Sequence, residues 1–447
     1  MMQKPIAAIA TPYGKGAISI IRISGENCIS LIEEVFPNIA LNKLSPNTMK
    51  RTQLIEHHQL IDDVMVVTYH APKSYTGEDM VEIFSHGGVR ITQNVLQAIL
   101  RCGTDLAKPG EFTERAYLNK KIDLIQAESV MDIIEAENEL QIQIAQAGLQ
   151  SQISKTIRQY KHTIMGWITH IEVNIDYPEY ESENQVTQTF LKPKIQAFLE
   201  EVKKAIAASK RNNIISHGIK TAIIGKPNVG KSSLLNALIK EDKAIVTDIP
   251  GTTRDIVEGF LYIGGIKLHL IDTAGIRHSE DMIERIGIDK SKKMLDQAEL
   301  VIFVLDQTKP LDQDEALLLK SLIHKPYILV GNKEDLGKNQ TGLDVISISA
   351  KNSTHLEQLE SKINALFGIE HMQSTDLKYL SNERQISLLE KSYKHLEKAL
   401  QSTLTETPID MIQLDLRDAW EALSEITGDT YHESLVEDMF RRFCLGK

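Results

Sequence analysis

Apolar positions change period along this chain, and the changes predict its parts. From Ile6 to about Asn119 the pattern is mixed. Ala17–Ser24, Asp63–Tyr69 and Met80–Phe84 read as strands, while Glu26–Val35 and Val89–Cys102 carry helical spacing. Beyond Ile122 the period becomes helical. Leu149, Ile153, Ile157, Tyr160, Ile164, Ile168, Ile171 and Ile175 recur at steps of three and four, predicting one long amphipathic helix that stops at Asp176-Tyr177-Pro178. A further helix carries Leu191, Ile195, Phe198, Val202 and Ile206 on one face. Strand–helix alternation begins at His217-Gly218 and lasts to about Phe367. Helical spacing then returns at Ile386, Leu389, Tyr393, Leu396 and Leu400, and again from Ile409 to Leu423.

Interleaved strands and helices without phosphate-binding glycines predict an N-terminal α+β domain over residues 1–119. Helical arms over 120–216 and 370–447 flank an α/β unit over 217–369, which predicts an α-helical bundle with the α/β domain inserted in it. Insertion is easiest where a domain's own termini lie close together. The Gly- and Pro-rich turns of the first domain, Thr11–Gly16, His86–Gly88 and Lys108–Gly110, read as punctuation.

The inserted unit opens on a phosphate-binding loop, Gly225-Lys-Pro-Asn-Val-Gly-Lys-Ser232, between an apolar run, Thr221–Ile224, and a helical pattern, Ser233–Ile239. Its glycines let backbone N–H groups turn toward anionic oxygens at a helix N-terminus. Lys231 is placed to reach the β- and γ-phosphates, and the Ser232 hydroxyl to hold Mg²⁺. Three more motifs follow at strand ends. Asp272-Thr273-Ala274-Gly275 can meet Mg²⁺ through water and the γ-phosphate through the Gly275 N–H. In Asn332-Lys333-Glu334-Asp335 the last carboxylate can accept from both the ring N–H and the exocyclic amine of guanine. Ser349-Ala350-Lys351 would close over the base. Each tetrapeptide alone is weak; in this order they specify guanine-nucleotide binding by a Ras-like P-loop α/β domain of the GTPase kind.

Between the loop and the second strand lies Thr247-Asp248-Ile249-Pro250-Gly251-Thr252-Thr253-Arg254-Asp255, which suits a segment ordered by a γ-phosphate, with Thr253 as second metal hydroxyl. The plain reading is an exposed loop with capping threonines. Ile276 stands where Ras-like proteins place the glutamine that orients water, so the polarising group must come from elsewhere. Arg277 and Glu284 are candidates, or else solvated charges on a helix beginning near Asp281.

Composition narrows the setting. At 447 residues the chain is too long for one core, and its net charge of −11 argues against a broad basic surface that holds nucleic acid unaided. No run approaches the roughly 18 apolar residues of a membrane span, and no N-terminal signal is read, so the expected location is cytoplasmic. Cys28, Cys102 and Cys444 lack the spacing of a zinc site or a disulfide framework.

The phosphate loop followed by Asp248-Ile-Pro-Gly-Thr-Thr-Arg-Asp255, together with a chain ending Cys444-Leu-Gly-Lys447, resembles the MnmE (TrmE) family of tRNA-modification GTPases. Ile6–Pro12, Ile21–Gly25, His86–Gly88, Pro109–Thr113 and Leu124–Glu128 extend the resemblance over the whole chain. The resemblance implies GTP hydrolysis which, with a flavin-dependent partner, MnmG (GidA), in a heterotetramer, adds a carboxymethylaminomethyl or aminomethyl group to C5 of the wobble uridine of certain tRNAs. A tetrahydrofolate, 5-formyl- or methylene-, is the one-carbon source. It further implies a homodimer formed through N-terminal folate-binding domains. It also implies K⁺ in place of an arginine finger, with Asn228, Thr247, Ile249 and Thr252 as ligands. Among these residues the nucleotide contacts also take in Val229, Gly230 and Ser233. Lys231, Arg254 and Glu284 would serve the reaction, Glu284 as the water-orienting group. Arg22, Glu82, Lys121 and Lys447 match the folate positions, and Cys444 would sit near the one-carbon group. Without the resemblance, Arg22 in an apolar strand reads as a paired structural charge and Cys444 as an inert thiol. Two departures stand in the first loop, Lys4-Pro5 for Asp-Thr and Tyr13-Gly14-Lys15 for Pro-Gly-Arg. The alternative is a ribosome-assembly GTPase of the Era/EngA type, which would be expected to bring a basic RNA module.

Overall fold

The structure, a computed structural model, describes residues 4–179, 182, 185–239, 259–263, 266–271, 295, 297–323, 325–337, 343–369, 374–405, 407–430, 439–441, 443 and 446. The chain forms two compact units: Met1–Glu135 with Ala145–Glu183 and Glu406–Lys447, and Ala136–Ile144 with Asn184–Thr405. Among the described residues the helices are α1 (Cys28–Ile32), α2 (Val89–Arg101), α3 (Glu111–Leu118), α4 (Leu124–Glu135), α5 (Glu139–Leu149) and α6 (Gln152–Asp176). They continue as α7 (Lys192–His217), α8 (Lys231–Leu238), α9 (Gln313–Ser321), α10 (Leu356–Leu366), α11 (Glu383–Leu404) and α12 (Ile409–Thr427). None of them is long and apolar enough to cross a membrane.

In the first unit β1 (Ile6–Ile9), β2 (Ile18–Ser24), β3 (Lys50–Glu56), β4 (Gln59–Tyr69), β5 (Met80–His86) and β6 (Asp105–Leu106) form one sheet in the order β3-β4-β5-β2-β1-β6. All pairs are antiparallel except β1 with β6. Period-two alternation places Ile21, Ile23, Val64, Val66, Val81 and Ile83 in a core with Ile29 and Ile32 of α1 and Val95 and Ile99 of α2. Arg22 and Glu82, one step out of phase, are opposed in the β2–β5 register on the other face. β1 and β3 escape the periodicity reading because one is four residues long and the other opens on charged residues. The predicted helix over Glu26–Val35 is a short α1 followed by a 3₁₀ turn, Glu33–Val35.

The long helix predicted from Leu149 to Asp176 is α6, Gln152–Asp176, and only its first position, Leu149, falls outside it, as the last residue of α5. Ser151 has φ of 60° and its N–H closes back on the Gly148 carbonyl at 3.0 Å, so the i→i−4 ladder breaks between α5 and α6. Leu149 ends α5; Ile153 through Ile171 line the buried stripe of α6. α12 packs along α6 in this unit, tied by Glu172 accepting from Gln413 at 2.9 Å and pairing with Arg417 at 2.8 Å.

In the second unit β7 (Ile219–Ile224), β8 (Gly259–Ile263), β9 (Ile266–Leu270), β10 (Leu300–Asp306), β11 (Tyr327–Asn332) and β12 (Val345–Ser347) are ordered β12-β11-β10-β7-β9-β8. Every pair is parallel except β8 with β9. β10 is an unbroken apolar run because both faces are covered: Ile302 and Val304 face one core, Val301 and Phe303 the other. In the same unit α7 packs along α11, and Asn212 of α7 donates to the Asp376 and Tyr379 carbonyls at 2.9 and 3.2 Å. Each unit therefore joins a helix that precedes the nucleotide domain to one that follows it.

Candidate nucleotide site

β7 delivers the chain to Gly225, whose φ is 150° and where an added Cβ would stand 2.3 Å from the Val304 carbonyl oxygen. The loop turns through Asn228 at φ 63° and Gly230 at φ 96°, and Gly230 is the N-cap of α8. Lys231 begins that helix and folds back, its ammonium donating to the carbonyls of Gly225 at 2.8 Å and Lys226 at 2.7 Å. Burial pushes its pKa below the ordinary lysine range. A half-buried cation held by neutral carbonyls, beside inward-turning N–H groups at a helix start, is complementary to a phosphate. Val229 is buried, while Asn228, Ser232 and Ser233 are exposed at the loop.

The base end is built on β11. Asn332, 3% exposed, donates from Nδ2 to the Val229 carbonyl at 2.9 Å and accepts on Oδ1 from the Ala350 N–H at 2.9 Å. One buried amide thus ties the phosphate loop to the Ser349-Ala350-Lys351 loop. Gly230 must lack a side chain for this, since a Cβ there would lie 2.1 Å from Asn332 Nδ2. Lys333, at φ 71°, pairs with Asp306 at 2.7 Å. Burial opposes ionisation of Asp306, yet the bonds from Lys333 and Thr308 hold its carboxyl below the usual range. Ser349 Oγ donates to Asp335 Oδ1 at 2.7 Å, orienting an exposed carboxylate at the mouth. Sequence reasoning named Asn332 and Ser349 but not the bridge or the bond they make. It missed Asp306, whose only signal was a carboxylate ending an apolar run.

Thr247, Asp248, Ile249, Pro250, Gly251, Thr252, Thr253, Arg254, Asp272, Thr273, Ala274, Gly275 and Glu284 lie outside the described residues, as do Cys444 and Lys447. Cys28 and Cys102 are raised by burial, the latter to about 12, and stay protonated thiols.

A second cluster lies on the sheet of the first unit. Arg22 donates to Glu82 at 2.9 Å and reaches the Gly446 carbonyl at 3.2 Å. Its guanidinium carbon stands 5.6 Å from the centroid of Tyr75 and 5.8 Å from that of Phe112, and the Tyr69 hydroxyl donates to the other Glu82 oxygen at 3.1 Å. Lys121 instead donates to the Pro72 carbonyl at 2.8 Å. The structure therefore brings Arg22, Glu82 and Gly446 together, and Tyr69 and Gly446 join a group that the sequence reading did not include them in.

The family model described as MnmE helical domain matches residues 124–444, and that described as GTP-binding protein TrmE N-terminus matches 5–121. The chain belongs to the MnmE family. The tRNA modification GTPase MnmE of Lactococcus lactis subsp. cremoris (strain MG1363) is 44% identical over 446 residues, covering 99% of this chain and 98% of that protein. The MnmE of Acholeplasma laidlawii (strain PG-8A) is 43% identical over 448 residues and the full length of both. The G domain of the T. maritima FeoB iron transporter is 29% identical over 33% of this chain and 98% of that one, at a TM-score of 0.25, too low to bear on the fold. Membership in the MnmE family carries GTP hydrolysis in tRNA modification.

Proposed function

We propose that the chain is a cytoplasmic, potassium-dependent GTPase that acts on the wobble uridine of certain tRNAs together with a flavin-dependent MnmG-type partner and a tetrahydrofolate one-carbon donor. The observation that supports the nucleotide reading is the Asn332 bridge, which ties the Gly225–Ser232 loop to the Ser349–Lys351 loop. GTP would lie with its phosphates on the Gly225–Ser232 loop and its guanine on Asp335. Lys231 would exchange its two carbonyl partners for β- and γ-phosphate oxygens. Ser232 and Thr253 would hold Mg²⁺. Asn228, exposed at the loop, would hold K⁺ with Thr247, Ile249 and Thr252, and a cation there would neutralise charge developing at the β–γ bridge. Glu284 would orient water and Arg254 would add positive charge nearby.

For the one-carbon donor, Arg22 suits a carboxylate or carbonyl and Glu82 an amino-pyrimidine edge, with Lys121, Lys447 and Cys444 around it. Dimerisation would run through residues 1–119, with 120–216 and 370–447 as the helical domain and 217–369 as the inserted G domain. The test is GTP hydrolysis by the full chain in K⁺ and Na⁺ buffers of matched ionic strength. At least about tenfold stimulation by K⁺, lost in Asn228→Ala, is expected from removing one cation ligand at the transition state. Equal rates in both salts would withdraw the K⁺ ligands and leave the guanine site standing.

A further inference from the structure

The β8–β9 hairpin lies in sequence between the two segments read above as sensing the γ-phosphate, residues 247–255 and 272–275. The segment Ala136–Ile144 belongs to the same unit as the hairpin. Glu137 accepts from Lys267 of β9 at 2.7 Å and from the Tyr262 hydroxyl of β8. The Lys267 ammonium also lies 4.2 Å from the Phe260 ring centroid, and Phe260 packs edge-on against His269 at 4.8 Å. Burial works against ionisation of Glu137, but these two bonds hold it below the usual carboxylate range.

The segment bearing Glu137 is itself stiff. Asn138 Oδ1 accepts from the Gln141 N–H at 3.0 Å, Gln141 Oε1 accepts from the Glu137 N–H at 2.6 Å, and Gln141 Nε2 caps the Ile215 and Ser216 carbonyls at 3.0 and 3.2 Å. Gln141 is thus bonded to both residues before the helix and to two carbonyls at the end of α7, which fixes Glu137 there. There the chain crosses the hairpin so closely that a Cβ on Gly218 would stand 2.4 Å from the Lys267 carbonyl oxygen, and His269 Nε2 meets the His217 carbonyl at 2.7 Å.

We propose that Glu137 is a positioning residue that passes nucleotide-dependent movement of the β8–β9 hairpin to the helical segment 136–149. One carboxylate oxygen, Oε2, that accepts from both strands follows the hairpin as a body, whereas contact with one strand would slip. The proposal rests on the reading of 247–255 and 272–275 as nucleotide-sensing segments. The capped segment moves as a lever because its first turn cannot absorb the displacement by fraying.

Hydrogen-exchange mass spectrometry of the full chain, loaded with GDP or with a non-hydrolysable GTP analogue, tests this. In the unsubstituted protein, exchange in 136–149 and 259–270 should differ between nucleotides by at least about threefold. Glu137→Ala should remove the difference in 136–149, keep it in 259–270, and leave GTP affinity within about twofold. Tyr262→Phe, which removes one hydroxyl and keeps the ring, should reduce it partway. If 136–149 responds equally in both variants, or is silent in the unsubstituted protein while 247–258 responds, Glu137 is not the coupling point. If 247–258 and 272–290 are themselves indifferent to the nucleotide, the sensing reading fails and this proposal falls with it.

Discussion

Single side chains here differ in how much of their work is local. Asp335 is legible from its tetrapeptide, yet its orientation comes from the Ser349 hydroxyl at 2.7 Å. Asp335→Asn should relax the preference for GTP over XTP by roughly ten- to a hundredfold, the cost of losing a charge-assisted bond; competition binding measures it, and an unchanged preference would remove the base-reading role. Asp132 on α4 is a different case, since burial first, and then the charges of Glu128 and Glu135, push its pKa up to about 7. A folded value above the unfolded value near 3.8 means that the folded state binds the extra proton. Stability is therefore free of this penalty in acid, is lost as pH rises through that window, and carries the full penalty above about pH 7. Asp132→Asn should stabilise the fold at pH 8 by up to about 4 kcal/mol, seen as a raised thermal midpoint, and give no gain near pH 3.5; thermal unfolding at the two pH values reads both. No periodicity argument could have found this, because three acids at helical spacing look like a solvated face.

At the scale of elements, the phosphate loop and the C-terminal tail both depend on close backbone approaches. The tail crosses β1 where a Cβ on Gly446, at φ 89°, would stand 2.3 Å from the Ile9 carbonyl oxygen, and its own carbonyl takes a bond from Arg22. Upstream, Phe440 and Phe443 pack at 5.1 Å in a cluster with Tyr117 and Leu124, and a Cβ on Gly110 would meet the Phe440 carbonyl at 2.4 Å. Gly446→Ala should break this approach and the bond from Arg22 while leaving the Phe440 anchor. Exchange in a 444–447 peptide should rise by at least about tenfold against a 437–443 peptide that changes little. The α5–α6 break makes the opposite point. The step of four from Leu149 to Ile153 runs straight through it, so spacing starts the helix three residues early, and only the left-handed Ser151 and the returning N–H place the start of α6.

Across the whole molecule, an acidic chain with 61 Asp and Glu against 50 Lys and Arg must meet tRNA through a local surface or a shared one, because phosphate neutralisation dominates such affinity. The sequence by itself determined what depends on contiguous residues. The Gly225–Ser232 loop, the Asn332–Asp335 tetrapeptide, the strand–helix alternation and the helical arms each write their chemistry or period in neighbouring positions. Tertiary structure alone decided which distant faces met. Asn332 joins two loops of one site, Arg22 meets Gly446, Glu137 grips both strands of a hairpin, and α6 and α7 take α12 and α11 as partners. The physical reason is that a periodic pattern requires a face to be buried without naming what buries it. The partner is chosen by packing and by the bonds that buried polar groups must make, and those are settled only when the chain has closed on itself.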